Sequence, residues 1–323
     1  MMRKQKKNII SMGLILALYL ILNTMLETGI INRYYGGIIQ LSCINIILAL
    51  SLNLITGFTG QLSLGHAGFM SIGAYTSAVL TAKLDVPFLP ALIIAGVFTA
   101  LVSLIIGIPT LKLSGDYFAI TTLGFGEIIR VALVNIDYVG GPRGFTGIPL
   151  ETNFTWVFAI TVLVAIAIRN LIHSAPGRAM LSVRENEIAA EAMGVDTVRY
   201  KIYSFMIAAL IAGVAGGLYA HYIGYLKPEG FAFVRSIEIL TYAVLGGLGS
   251  ITGSILGAVF LTFLPELLRS VSDFRMIIYS AILIILMIFR PQGFMGSKEL
   301  SFRIFRDSFK GFPVKKDGRE KNS

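Results

Sequence analysis

The feature that most constrains this chain is a recurrence of apolar runs about as long as a bilayer is thick. A hydrocarbon core about 30 Å deep takes roughly 20 helical residues to cross. Windows near that size run at 9–26, 37–56, 67–82, 88–107, 117–134, 154–172, 202–222, 236–248, 251–268 and 276–289. Lipid offers backbone amides no partners, so a chain crosses it as helices or as a closed barrel. Long apolar windows predict the first: an all-α, polytopic integral membrane protein with about ten transmembrane helices. Of 323 residues 55% are hydrophobic and only 14% charged, with the charges gathered in a few places, which excludes a soluble domain. The first run follows Arg3, Lys4, Lys6 and Lys7 without a small-residue cleavage site after Leu26, and is read as a retained span. The single Cys43 lies inside an apolar window and allows no internal disulfide.

Placing both termini in the cytoplasm and alternating sides puts 19 of the 27 lysines and arginines on the inner side and seven outside, with Arg130 inside a span. That bias is the one expected of an inner-membrane protein. The net charge of +9 then reflects orientation and contact with anionic membrane lipid, not nucleic acid, and no basic stripe interleaved with aromatics argues otherwise. The chain divides into a permease domain over 1–290 and a basic cytoplasmic tail over 291–323.

The segment Ser174 to Lys201 is the exception in an apolar chain, carrying Arg178, Arg184, Glu185, Glu187, Glu191, Arg199 and Lys201. Charge allocation places it in the cytoplasm. Ser182 precedes Glu185 at capping-box spacing, Ile188, Ala192 and Val195 recur one turn apart, and Gly194 is placed to end the helix. A short amphipathic helix over 182–194 is predicted, too short to span and suited to a partner.

Glycines cluster at Gly57, Gly60, Gly65, Gly68 and Gly73, and again at Gly246, Gly247, Gly249, Gly253 and Gly257. Singly, each is best explained by close helix packing. Two clusters in matching places favour broken or re-entrant backbone at 57–75 and 245–257 and two inverted halves of about five spans each.

The chemistry is sparse. No G-x-x-x-x-G-K-[ST] occurs, so the chain does not hydrolyse nucleotide through a P-loop. No H-E-x-x-H or cysteine pair is present and His66, His173 and His221 are dispersed, so no metal and no cofactor is expected. Ser63 and His66, read as sharing a helical face, form a hydrogen-bonded packing pair in preference to a nucleophile and base, since no orienting group or oxyanion site accompanies them. The chain is not read as an enzyme. Glu127 and Arg130, at i, i+3 within a span, pair with each other in preference to forming a proton or substrate relay. Glu238 and Glu266 are placed near span ends. Asn53, Gln61, Ser63 and His66 are the densest set of uncharged hydrogen-bonding side chains at membrane depth and are candidates for lining a translocation path.

The run from Asn53 to Phe69 (NLITGFTGQLSLGHAGF), continuing to Gly73-Ala74-Tyr75, resembles the membrane permeases of branched-chain amino acid ABC importers. So do Gly115-Asp116-Tyr117-Phe118-Ala119-Ile120, Gly140-Gly141-Pro142 to Gly147, Arg184-Glu185-Asn186-Glu187 to Gly194, and Arg290-Pro291-Gln292-Gly293-Phe294. These motifs span nearly the whole chain and are similar to the M-type subunit of the Liv system. Ser174-Ala175-Pro176-Gly177-Arg178 departs from the usual pattern, in which an aromatic precedes the glycine. The resemblance implies a subunit forming half of a pore in the bacterial cell membrane, moving leucine, isoleucine or valine. Its implied partners are a homologous second permease subunit, two cytoplasmic ABC ATPase subunits and an extracytoplasmic solute-binding protein. It also gives the charged segment a coupling role: Ala189, Ala190 and Gly194 are similar to the alanine pair and glycine of the importer coupling motif, with the acid at Glu187 displaced by one position. Ile188, Ala192 and Met193 would press on the ATPase while Arg184, Glu185, Glu187 and Glu191 fix orientation at the rim. The same machine carrying urea or short amides, a stand-alone ion-coupled transporter working through Glu127 and Arg130, and an intramembrane enzyme remain as alternatives.

Overall fold

A computed structural model describes residues 2–111, 115–271, 274–290 and 292–296. Every apolar window is occupied by a helix: α1 Met2–Glu27, α2 Arg33–Asn53, α3 His66–Leu84, α4 Phe88–Thr110, α5 Asp116–Asn135, α6 Phe154–His173, α9 Thr197–Ile223, α10 Phe233–Gly246, α11 Ile251–Leu267 and α12 Arg275–Phe289. Two more helices, α7 Ala175–Glu185 and α8 Glu187–Ala192, fold the charged segment. Five of the described helices are long and apolar enough to cross a bilayer: Arg33–Phe58, Phe88–Thr110, Asp116–Asn135, Phe154–His173 and Thr197–Ile223. The chain is thus a helical membrane protein.

Helix α2 is the centre of the bundle. From Ser42 to Phe58 it is buried on every face, as its all-round apolar sequence requires. On one side it meets α9, which lies against α3 and α4, and on the other it meets α10 and α11. Helix α1 stands at the periphery against α6, where Tyr19 donates to or accepts from Thr155 Oγ1 at 3.1 Å. Between α3 and α9 the backbones nearly touch: a Cβ on Gly73 would lie 2.1 Å from Gly213 O, and one on Gly216 2.0 Å from Met70 O. Without water to drive side chains together, such small-residue contacts are how membrane helices gain dispersion energy. Opposite the charged segment, β1 Phe145–Thr146 pairs antiparallel with β2 Tyr225–Leu226.

Several expectations change. The glycine clusters lie at the α2–α3 and α10–α11 junctions and meet at one point, where a Cβ on Gly57 would lie 2.4 Å from Gly249 N. Halves of five helices would make the α2–α3 junction equivalent to the α9–α10 junction, so the glycines do not mark equivalent places. Phe294 N donates to Leu245 O (2.8 Å) and Met295 N to Gly246 O (3.2 Å), so 292–296 closes the open carbonyl end of α10 and belongs to the bundle. Lys112 and the tail from 297 to 323 lie outside the described residues.

Candidate coupling element and broken-helix junction

The charged segment is folded by its own caps. Ser174 Oγ accepts from Gly177 N at 3.4 Å and Pro176 occupies the first turn, so α7 starts seven residues before Ser182. Ser182 is therefore inside a helix, donating to Ala179 O (2.7 Å), and the capping box predicted there does not form. The cap that starts α8 is Asn186, whose Oδ1 accepts from Ala189 N at 3.0 Å. An Asx cap satisfies one of the free amides that open a helix. Gly194, at φ +83°, ends the element as expected, because that left-handed turn costs glycine nothing.

The two helices sort their side chains by direction. Ile188 and Met193 are 81% and 85% exposed, with Ala189 and Ala192 exposed beside them. Glu185 also points out, 3.9 Å from Arg184. Two other members of the predicted rim are bonded to α9, Glu187 half-buried and Glu191 still exposed. Glu187 accepts from Lys201, a buried lysine of α9, and Glu191 accepts from Thr197 Oγ1 at 2.6 Å. Ala190 is buried. These bonds tie α8 to the start of α9, and Glu187 keeps Lys201 from being a buried, unpaired charge.

Arg184 does most to connect the element to the bundle. Its Nη1 donates to Gly57 O at 2.7 Å, and a Cβ on Gly60 would fall 3.1 Å from its Cα. Gly57 lies in a short π-helical end of α2, Leu54–Phe58. Beyond it the chain runs without regular structure through 59–65 until α3 begins at His66. Within it Thr59, Gln61 and Ser63 are buried while Gly60 and Leu62 are exposed, Leu64 N donates to Thr122 Oγ1 (3.0 Å), and just past it Ala67 N donates to Ser236 Oγ (3.0 Å).

Asn53 locks the two junctions together. Its Oδ1 accepts from Gly249 N (2.9 Å), and its Nδ2 donates to Ser250 O (3.0 Å) and Ser254 Oγ (2.7 Å). Close approach explains the glycines: a Cβ on Gly57 would lie 2.4 Å from Gly249 N. Asn53 is a fully engaged staple with no exposed surface. Ser63 is not helical, and His66 Nε2 lies 2.6 Å from Ser51 Oγ instead, so the two share no helical face and form no dyad. Thr56 Oγ1, Gln61 Oε1, Ser63 Oγ and His66 Nδ1 are buried without a partner among the described residues. No group of three or more metal-ligating side chains occurs among the described residues.

Arg130 Nε donates to Glu127 Oε2 at 2.7 Å, and Glu127 Oε1 also accepts from Phe233 N (3.2 Å), capping the start of α10. Arg235 lies inside α10, donating to Glu238 Oε2 (2.7 Å) and to Asn45 Oδ1 (2.8 Å).

A buried central helix, two interlocked glycine junctions and a charged helical element bonded to them define a polytopic membrane permease. The chain belongs to the family described as the branched-chain amino acid transport system permease component, whose sequence model matches residues 34–290. It is 35% identical over 316 residues to the high-affinity branched-chain amino acid transport system permease protein LivM of Escherichia coli (strain K12), covering 87% of this chain and 74% of that one. It is 25% identical over 285 residues to the corresponding LivH protein of Salmonella typhimurium, covering 79% and 92%. The BraD permease of Pseudomonas aeruginosa is 29% identical over 167 residues, about half of each chain. No solved structure matches the chain.

Proposed function

We propose that this chain is one permease subunit of an ABC importer for leucine, isoleucine and valine, working with a second permease, two ATPases and an extracytoplasmic binding protein. The observation that carries the reading is α8: an exposed Ile188–Met193 face on a helix whose acids are all satisfied from within, linked through Arg184 to both broken junctions. An apolar patch of that kind on a cytoplasmic element needs a protein partner, and the absence of a P-loop assigns ATP hydrolysis to that partner. The names of the relatives favour this cargo over urea, and family membership favours an ATP-driven subunit over a stand-alone transporter or an enzyme.

The ten helices matching ten apolar windows support ten spans, with both termini in the cytoplasm. Reciprocal packing supports two inverted halves: α9 lies on α3 and α4 as α2 lies on α10 and α11, and α3 meets α4 as α10 meets α11. In this reading the ATPase contact is Ile188, Ala189, Ala192 and Met193, and Arg184, Glu187, Glu191 and Gly194 keep α8 oriented. Reconstituted in liposomes with its neighbouring permease, ATPases and binding protein, the chain drives leucine uptake only with ATP. Ile188→Glu with Met193→Glu abolishes ATPase association without lowering thermal stability; association and uptake equal to wild type would sink the coupling assignment.

A further inference from the structure

Helix α10 has 14 residues, about 21 Å at ~1.5 Å per residue, too short for a ~30 Å hydrocarbon core. Two long neighbours fix where it begins. Asn45, which accepts from Arg235 Nη2, sits about 18 Å from either end of the Arg33–Phe58 helix. Glu127, which accepts from Phe233 N, lies about 17 Å along the 20-residue α5. Both helices therefore put the first turn of α10, with Arg235 and Glu238, near the middle of the membrane.

Charges at that depth cannot face lipid and instead face the bundle interior or a polar passage. Arg235 is 16% exposed and held from behind by Asn45, whereas the Glu238 side chain is 46% exposed. A carboxylate so open at mid-membrane needs an aqueous or protein-lined space in front of it. The Arg235 guanidinium also lies 5.8 Å from the Tyr219 ring, which meets Phe231 at 6.1 Å, and Phe231 meets Tyr75 at 6.0 Å. The Tyr75 hydroxyl is buried without a partner among the described residues. One fixed cation, one accessible anion and an adjoining aromatic wall complement a zwitterion with an apolar side chain.

We infer that Arg235 and Glu238 form a cargo station for zwitterionic α-amino acids at the middle of the path. Asn45 keeps the guanidinium in place while its contact passes from Glu238 to the cargo carboxylate, and Glu238 takes the cargo ammonium. No bond is made or broken and each charge stays paired throughout. The station rests on the importer reading above, which stands or falls first on whether the wild-type complex takes up labelled leucine with ATP.

Given that uptake, the test is leucine moved per ATP hydrolysed in the complete reconstituted complex. Glu238→Gln, which removes charge but little volume, and Arg235→Lys, which removes the fork, each lower the ratio at least tenfold. The charge-swapped pair Arg235→Glu with Glu238→Arg separates a static ion pair from a cargo contact. Recovery to wild type in the swap, or unchanged ratios in both single variants, overturns the station. A swap that assembles into the complex yet stays at least tenfold down supports it.

Discussion

Asn53→Ala tests the staple between the two junctions. The side chain makes three hydrogen bonds and has no exposed surface. Ser250 O keeps Ser254 N and Ser254 Oγ as donors after truncation, so two of the losses cost about 1 kcal/mol each, as for exchanged hydrogen bonds. Gly249 N loses the acceptor it has in Asn53, and a part-buried amide left unpaired adds about 1 kcal/mol more. The sum is about 3 kcal/mol. At ~2 °C per kcal/mol for a chain of this size, the midpoint falls by roughly 6 °C. Cys43 provides the assay, since the chain has one cysteine and it is only 8% exposed: a thiol-reactive dye reports when α2 opens on heating. A shift below about 2 °C accompanied by altered leucine uptake would falsify the staple and return Asn53 to the translocation path.

The remaining tests address packing and the latch. Gly73→Val places branches where Gly213 O already stands 2.1 Å from a Cβ, forcing α3 from α9; overpacking of about 1–3 kcal/mol lowers the same thiol-labelling midpoint by several degrees, and an unchanged midpoint counts against the contact. Arg184→Gln loses the charged donor to Gly57 O, so ATP hydrolysis continues with leucine uptake reduced at least tenfold; uptake at the wild-type ratio removes Arg184 from the coupling route.

The helices were legible because a run of about 20 apolar residues has few alternatives to crossing as a helix. Gly194 was legible as a helix end for an equally local reason, its tolerance of positive φ. The start of α8 was misread at Ser182 because a capping box counts only if the chain is not already helical; Ser174 and Pro176 open α7 earlier, and Asn186 three residues before Ala189 was the better signal. The functional set was harder. Asn53 looked like a path-lining polar residue, yet its partners lie 196 to 201 residues away, and nothing local announces them. The bonds of the rim acids Glu187 and Glu191 to Lys201 and Thr197 depend on how α8 folds back on α9.

Sequence alone determined what depends on burial and backbone preference within a few turns: the apolar helices, the charge bias between sides, and a folded polar element among them. Tertiary structure alone decided what depends on approach in space. Gly60 lies against Arg184 and Gly57 against Gly249 because only glycine lets those backbones come so close. Arg235 reaches Asn45, midway along α2, because of the neighbours that α10 packs against and through no residue within α10.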